Sequence, residues 1–133
     1  MIALKVVEQQ SLFVLLEATG AINRMGTGAV DNSEREMFIG TTSAAVFAGV
    51  RPLVTPELLA WCGQSLADPS PEGRPCELTV GFRGANGEEA MMVWKYGSES
   101  AGPPPEVAAL VVAALEGTAP WFENQKAMVR AKR

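Results

Sequence analysis

The chain has 133 residues, of which 47% are hydrophobic and 20% charged, and its formal net charge is −4. This length and composition are typical of one folded domain over residues 1–133 and exclude a disordered chain. Because the sequence contains no histidine, catalysis or zinc binding through histidine is excluded. The acidic balance argues against binding to nucleic acid.

Aliphatic and β-branched residues dominate the start of the sequence and favour strands over a helix. Three such runs are separated by polar or glycine-containing breaks: 2–8, 12–17 and 21–25. The second and third runs predict a hairpin over 12–25. A further short strand is expected at 37–40, followed by a helical turn over 42–48.

The tripeptide Thr55-Pro56-Glu57 predicts the start of a helix. Threonine caps free backbone N–H groups, proline is tolerated in the first turn, and glutamate complements the positive end of the helix dipole. We expect this helix to continue past Gly63 to about Leu66. The next segment, 68–75, contains three prolines and a glycine and predicts a loop.

Apolar and polar residues alternate over 76–83 with a period of two, which predicts a strand, and 88–96 follows as its partner. A three-residue loop over 85–87, with its glycine in the left-handed conformation, sets the register. A two-residue turn would instead place Trp94 on the polar face. The favoured register pairs Phe82 with Ala90, Val80 with Met92, Leu78 with Trp94 and Cys76 with Tyr96. On the other face it pairs opposite charges, Arg83 with Glu89 and Glu77 with Lys95.

Pro105 begins an apolar helix that we expect to end at Gly117. Its stripe at helical spacing consists of Val107, Leu110, Val111, Ala114 and Leu115. The reverse side is small and also apolar, which is typical of a helix buried on more than one side. A second helix is expected from Thr118 to about Arg130.

The order of these elements lacks the alternation of strands and helices found in parallel sheets. It predicts an α+β fold with an antiparallel sheet of five to six strands, hairpins 12–25 and 76–96, and two to three helices on one face. A glycine-turn hairpin, a leucine-rich helix, a strand pair and a proline-initiated apolar helix make this order similar to small bacterial protease-inhibitor domains of the emfourin kind. The Arg-Ser-Gly-Gly-Phe stretch of those domains is not present, so the resemblance is architectural and carries over no site residue.

No motif predicts a catalytic residue, a metal site or a cofactor. Gly26-Thr27-Gly28 lacks the third glycine and the Lys-Ser/Thr pair of phosphate loops, so we interpret it as a turn. The acidic segment 31–36 lacks the glycine and distal glutamate of a calcium loop and is interpreted as a solvated loop. Cys62 has no histidine to activate it. We interpret Cys62 and Cys76 as small core residues, although a disulfide bond between them is geometrically conceivable.

The remaining candidates for binding are large side chains and arginines. Adjacent helical residues diverge by about 100°, so either Trp121 or Phe122 is a candidate anchor for a partner. The alternative is that the C-terminal segment folds back and buries both. Arg24, Arg51, Arg74 and Arg83 would form an anion site only if the fold brought them together. The predicted ligand- or partner-binding residues are Met92, Trp94, Tyr96, Arg83, Trp121 and Phe122.

Two functions are compatible with these features. The favoured one is a non-catalytic protein-interaction domain (a homodimer, an adaptor, or an inhibitor or immunity-type protein), supported by the missing catalytic residues and a mean hydropathy of +0.10. It predicts an exposed apolar patch. The alternative is a small-ligand-binding protein or histidine-independent enzyme with a pocket between sheet and helices.

No secretory signal pattern and no apolar run of about 20 residues is visible, so we expect a soluble cytoplasmic protein.

Overall fold

A computed structural model describes residues 1–8, 11–28 and 36–132. Most of the acidic segment interpreted above as a solvated loop, 31–35, lies outside the described residues. The strands are β1 (Ala3–Glu8), β2 (Leu12–Glu17), β3 (Ala21–Met25), β4 (Phe38–Thr41), β5 (Ser65–Ala67), β6 (Pro75–Arg83) and β7 (Glu89–Gly97). The helices are α1 (Ala44–Val50), α2 (Pro56–Leu59) and α3 (Pro105–Ala131), with a short 3₁₀ turn over Arg51–Leu53.

The fold is α+β, as predicted, with one sheet in the order β4-β3-β2-β1-β6-β7-β5. Five neighbouring pairs are antiparallel, and the outer strand β5 runs parallel to β7. The described residues therefore form a mixed sheet of seven strands, where we predicted an antiparallel sheet of five to six. The additional strand is β5, which the sequence placed at the end of a helix.

The helix that begins at Thr55 is much shorter than predicted. Its start is as expected, since the Thr55 hydroxyl accepts a hydrogen bond from the Leu58 N–H at 3.3 Å. The helix ends at Leu59, and the chain turns at Gly63, whose φ of +84° is accessible to glycine at little cost. This turn directs Ser65–Ala67 along β7, where the N–H of Gly63 already bonds the carbonyl of Met91 at 2.8 Å.

The predicted register of the β6–β7 hairpin is confirmed. Leu78 lies opposite Trp94 and Val80 opposite Met92. The three-residue loop closes with the N–H of Gly84 donating to the carbonyl of Glu88 at 2.8 Å, and Gly87 has a φ of +83°. The sequence was sufficient here because turn chemistry and the alternation of side chains require the same register.

The C-terminal segment is one continuous helix, α3, so the predicted break at Gly117 is wrong. A Cβ atom at Gly117 would lie 3.5 Å from the Val46 methyl group, an ordinary van der Waals distance, so Gly117 lies where α1 packs against α3. Pro120 lies inside the helix and cannot donate to the carbonyl four residues earlier. Near this point the Thr118 hydroxyl donates to the Ala114 carbonyl at 2.7 Å.

The core lies between one face of the sheet and the helices. It joins residues of β1, β2, β6 and β7 to residues from all three helices, among them Phe47, Val50, Leu58, Val107 and Leu110. Val6, Val14 and Val80 are fully buried at its centre. Such a layer of helices on one face of a sheet is the arrangement expected of an α+β domain.

A buried arginine links helix α3 to the sheet. Arg24 on β3 is 3% exposed, and its guanidinium donates to the Leu115 carbonyl at 3.0 Å and to the Thr118 hydroxyl at 2.9 Å. It also donates to the Gly26 carbonyl at 3.3 Å and lies 4.4 Å from the ring centroid of Phe122. Its flat, forked donor set is suited to satisfying several acceptors at once.

We expect Arg24→Lys to lower the free energy of unfolding by about 2–3 kcal/mol, because a lysine cannot reproduce the forked donors and leaves buried acceptors unsatisfied. Urea denaturation followed by circular dichroism measures this change. The control is Arg130→Lys at an exposed position of α3, for which we expect a change within about 0.5 kcal/mol. Equal stability of the Arg24→Lys variant and the wild type would contradict this role.

Candidate functional site

The candidate site is the sheet face opposite the helical layer. Neighbouring residues of a strand point to opposite faces, and on β7 Met92 is 1% exposed whereas Met91 is 55% exposed. Met92 belongs to the core shared with the helices. We call the face that carries Met91 the open face.

Apolar side chains occupy much of two neighbouring rows on the open face. Two rows run from strand to strand, Leu15–Lys5–Gly81–Met91 and Phe13–Val7–Thr79–Val93. Met25 on β3 extends the second row. Ile39 on β4, 74% exposed, lies at the far edge of the sheet, separated from Leu15 by Asn23. We call this set the apolar band: Val7, Phe13, Leu15, Met25, Ile39, Met91 and Val93.

The middle of the open face is concave. A groove of about 990 Å³ runs over β2, β1, β6 and β7, and the turn at Cys62–Gln64 forms its rim. Gly81 contributes no side chain to the floor, so it leaves a depression between Lys5 and Met91. A Cβ atom at Gly81 would meet no atom closer than 3.9 Å, so the monomer's packing does not require glycine here.

Charged residues surround the apolar band. At one end lie Glu17, Arg83 and Glu89, with the Arg83 guanidinium bonded to the Glu17 carboxylate. At the other end Glu77 and Lys95 face each other. Lys5 is the exception, since it lies within the band, with its ammonium 5.5 Å from the ring centroid of Phe13. An apolar centre with a charged rim is the usual composition of a protein–protein interface.

The structure divides the six predicted binding residues between three places. Met92, Trp94 and Tyr96 lie on the sheet face beneath the helices, where Trp94 packs edge-on against Trp61 at 5.2 Å between ring centroids. Arg83 lies on the open face. The sheet therefore separates Arg83 from the three residues with which we had grouped it. Trp121 and Phe122 lie on α3, at the β3–β4 side of the helical layer.

Both aromatic residues of α3 pack against the sheet. Phe122 is 1% exposed and meets Phe38 edge-on at 5.7 Å between centroids. Trp121 is half-buried over Gly40, where a Cβ atom would lie 3.1 Å from the indole ring. This arrangement agrees with the interpretation that the C-terminal segment folds back onto the core.

Polar groups also cluster at one end of the covered face, around Glu8 and Tyr96. Burial raises the pKa of the Glu8 carboxyl, and nearby Arg74 partly offsets that effect. Burial also raises the pKa of Tyr96, with smaller contributions from Glu8 and Cys76. The indole N–H of Trp94 is buried without a hydrogen bond to the described residues. Glu8, Tyr96 and Trp94 are thus the polar groups found on the sheet face where a pocket between sheet and helices was predicted.

The other chemical candidates are not assembled into a site. Burial raises the pKa of the Cys62 thiol, which disfavours the reactive thiolate, and Cys62 and Cys76 are both free. Arg24 is buried beneath α3, Arg51 and Arg74 are exposed, and Arg83 is on the opposite face, so the four arginines do not converge.

Among residues 1–8, 11–28 and 36–132, no three His, Cys, Asp or Glu side chains are grouped closely enough to hold a metal ion. No helix in this part of the chain is long and apolar enough to cross a membrane.

The apolar band was not among the features predicted from the sequence. A signal was present, because β2 reads Leu-Phe-Val-Leu-Leu and β7 contains Ala-Met-Met-Val-Trp. A strand covered on one side only should alternate between apolar and polar residues. Runs without alternation in an antiparallel sheet indicate that both faces bury apolar surface.

Comparisons with protein-family models, with curated proteins and with solved structures gave no match.

The raised pKa of Glu8 predicts a pH-dependent gain of stability for Glu8→Gln. The folded state holds the Glu8 proton more tightly than the unfolded state, whose pKa is near 4.5. Stability from this group therefore falls as the pH rises from about 4.5 through the folded-state pKa. We expect Glu8→Gln to be more stable than wild type at pH 7, with the difference shrinking as the pH approaches 4.

Urea denaturation at pH 4 and pH 7 measures this difference. Glu88→Gln, at an exposed loop position, is the control and should change stability little at either pH. A Glu8→Gln variant that loses stability at pH 7 would show that the attraction of Glu8 to Arg74 outweighs the burial of its charge.

Proposed function

We propose that this chain is a non-catalytic protein-interaction domain that binds its partner through the open face of the sheet. The observation that carries the proposal is the apolar band, which spans adjacent strands and includes Met91 at 55% and Ile39 at 74% exposure. Large contiguous apolar patches on a folded domain mark interaction sites. The charged rim and the groove give this patch the composition and shape of a recognition surface.

A second candidate is the binding of a small polar ligand at the covered face. The buried, unbonded indole N–H of Trp94 supports it, together with the half-buried Glu8 carboxyl. A buried polar group without a partner is costly, and a ligand acceptor would relieve that cost. The open face is favoured because it offers a large connected surface rather than single polar atoms.

Site-specific photo-cross-linking tests the proposed surface. A photoreactive amino acid replaces Met91 in cells of the source organism, and in a matched strain it replaces Val112, which is 49% exposed on the outer side of α3. We expect a discrete cross-linked protein, either a second copy or another chain, at position 91 only. The captured protein, once purified, should bind the Met91→Glu variant at least tenfold more weakly than wild type, a loss of about 1.4 kcal/mol or more.

Equal cross-linking at both positions, or none at position 91, would overturn the proposal. So would unchanged binding of the captured protein by Met91→Glu. A ligand site at the covered face would instead appear as a ligand-induced rise in thermal stability that is lost in Trp94→Phe and kept in Met91→Glu.

A further inference from the structure

We infer that the occupant of the open face is a second copy of this chain. The two sheets would pack face to face about a two-fold axis that runs along the strands between β1 and β6. This inference rests on the proposed interaction function and names its partner. Closed two-fold pairs are the commonest assemblies of identical chains, and they require a surface that is complementary to itself.

The charges of the open face are balanced, although those of the chain are not. Its strand residues include three acids, Glu17, Glu77 and Glu89, and three bases, Lys5, Arg83 and Lys95. Three negative and three positive charges sum to zero, whereas the chain carries −4. The net charge of the face therefore does not oppose a second copy. At one end the proposed axis places Glu17 of each copy over Glu89 of the other, with Arg83 beside them.

At the centre of the open face the Lys5 side chain projects beside the depression formed by Gly81. Lys5 on β1 and Gly81 on β6 are direct cross-strand neighbours. A two-fold axis between these strands exchanges their positions, so Lys5 of each copy lies over Gly81 of the other. The same operation places Leu15 over Met91 and Phe13 over Val93 of the other copy. Each projection of the patch thus meets a depression or an apolar side chain, as an isologous interface requires.

Lys5, which contacts the Phe13 ring in the single chain, gains a further contact when a second copy is present. Charged residues are depleted from interface centres, and on the monomer Lys5 interrupts the apolar band. In the pair its aliphatic stem covers Gly81 of the other copy, while its ammonium lies 5.5 Å from the Phe13 ring of its own chain. Lysine commonly buries its stem on apolar surface in this way.

The face approaches the size that a specific pair needs. The proposed axis lays six strands, β3 to β5, over one another; spaced by about 4.8 Å they span roughly 24 Å, and six residues of strand span about 20 Å, so the flat projection is about 480 Å² per copy. Two such faces bury roughly 1,000 Å², about the lower limit for a specific interface. The outer strands β4 and β5 contain four and three residues. Such short edge strands disfavour association through the sheet edges.

Multi-angle light scattering during gel filtration tests this inference on the full chain. We expect wild type at about 100 µM to have twice the monomer mass of 14.1 kDa. Gly81→Val fills the depression and should weaken dimerisation at least tenfold. The monomer tolerates that side chain, because no atom lies within 3.9 Å of its Cβ and valine is favoured in strands. Loss of the dimer with an intact fold, checked by circular dichroism, is therefore the expected result.

Removal of the Lys5 side chain should restore dimerisation of the Gly81→Val variant. In the double variant Lys5→Ala/Gly81→Val, the small side chain of one copy meets the filled depression of the other, so we expect dimers to return. Met91→Glu is a second disruptive variant, and Val112→Glu on the outer side of α3 is the control that should remain dimeric. A Gly81→Val variant that dimerises as wild type does, or a double variant that stays monomeric, would overturn the proposed arrangement.

A monomeric wild type would overturn the inference of a second copy. If the photoreactive residue at position 91 then captured a different chain that Met91→Glu fails to bind, the proposed interaction function would stand with another partner. If position 91 captured nothing, both proposals would fall together.

Discussion

The attachment of helix α3 to the sheet through buried Arg24 determines which face of the molecule is open. A helix of 27 residues is about 40 Å long, which is enough to cross a seven-stranded sheet of roughly 29 Å. The guanidinium of Arg24 bonds the Leu115 carbonyl and the Thr118 hydroxyl of this helix. With α3 fixed on this face, α1 and α2 complete the same layer. The opposite face is left with apolar side chains that the described residues bury only in part.

How far the fold could be predicted depended on whether local signals agreed. The β6–β7 register was predictable because a turn glycine, an apolar face and opposite charges all required it. Strand β5 was not, since Ser-Leu-Ala has no strand periodicity and pairs with β7, almost 30 positions away. Gly117 and Pro120 are local signals of a helix end, but packing against α1 and the bonds from Arg24 and Thr118 outweigh them.

The candidate site was less predictable than the fold because alternation identifies two faces and does not say which one the helices cover. The aromatic residues Trp94 and Tyr96 were assigned to a binding cup, yet they belong to the half-buried fringe of the core. The residues of the apolar band are ordinary strand formers, and a single sequence does not separate apolar surface used for folding from apolar surface left for a partner. The two kinds of apolar surface can be told apart only when it is known which face of the sheet α3 covers.

Gly81 provides the strongest physical argument that the open face has a role beyond folding. Glycine within a strand interior lowers stability relative to residues with a side chain. Gly81 sits in the middle of a nine-residue strand, β6, with regular pairing on both sides. The monomer offers no steric reason for glycine there, because the nearest atoms lie at van der Waals distance from a Cβ. A residue that weakens its own strand and leaves a depression in an apolar band is accounted for when another molecule fills the space above it.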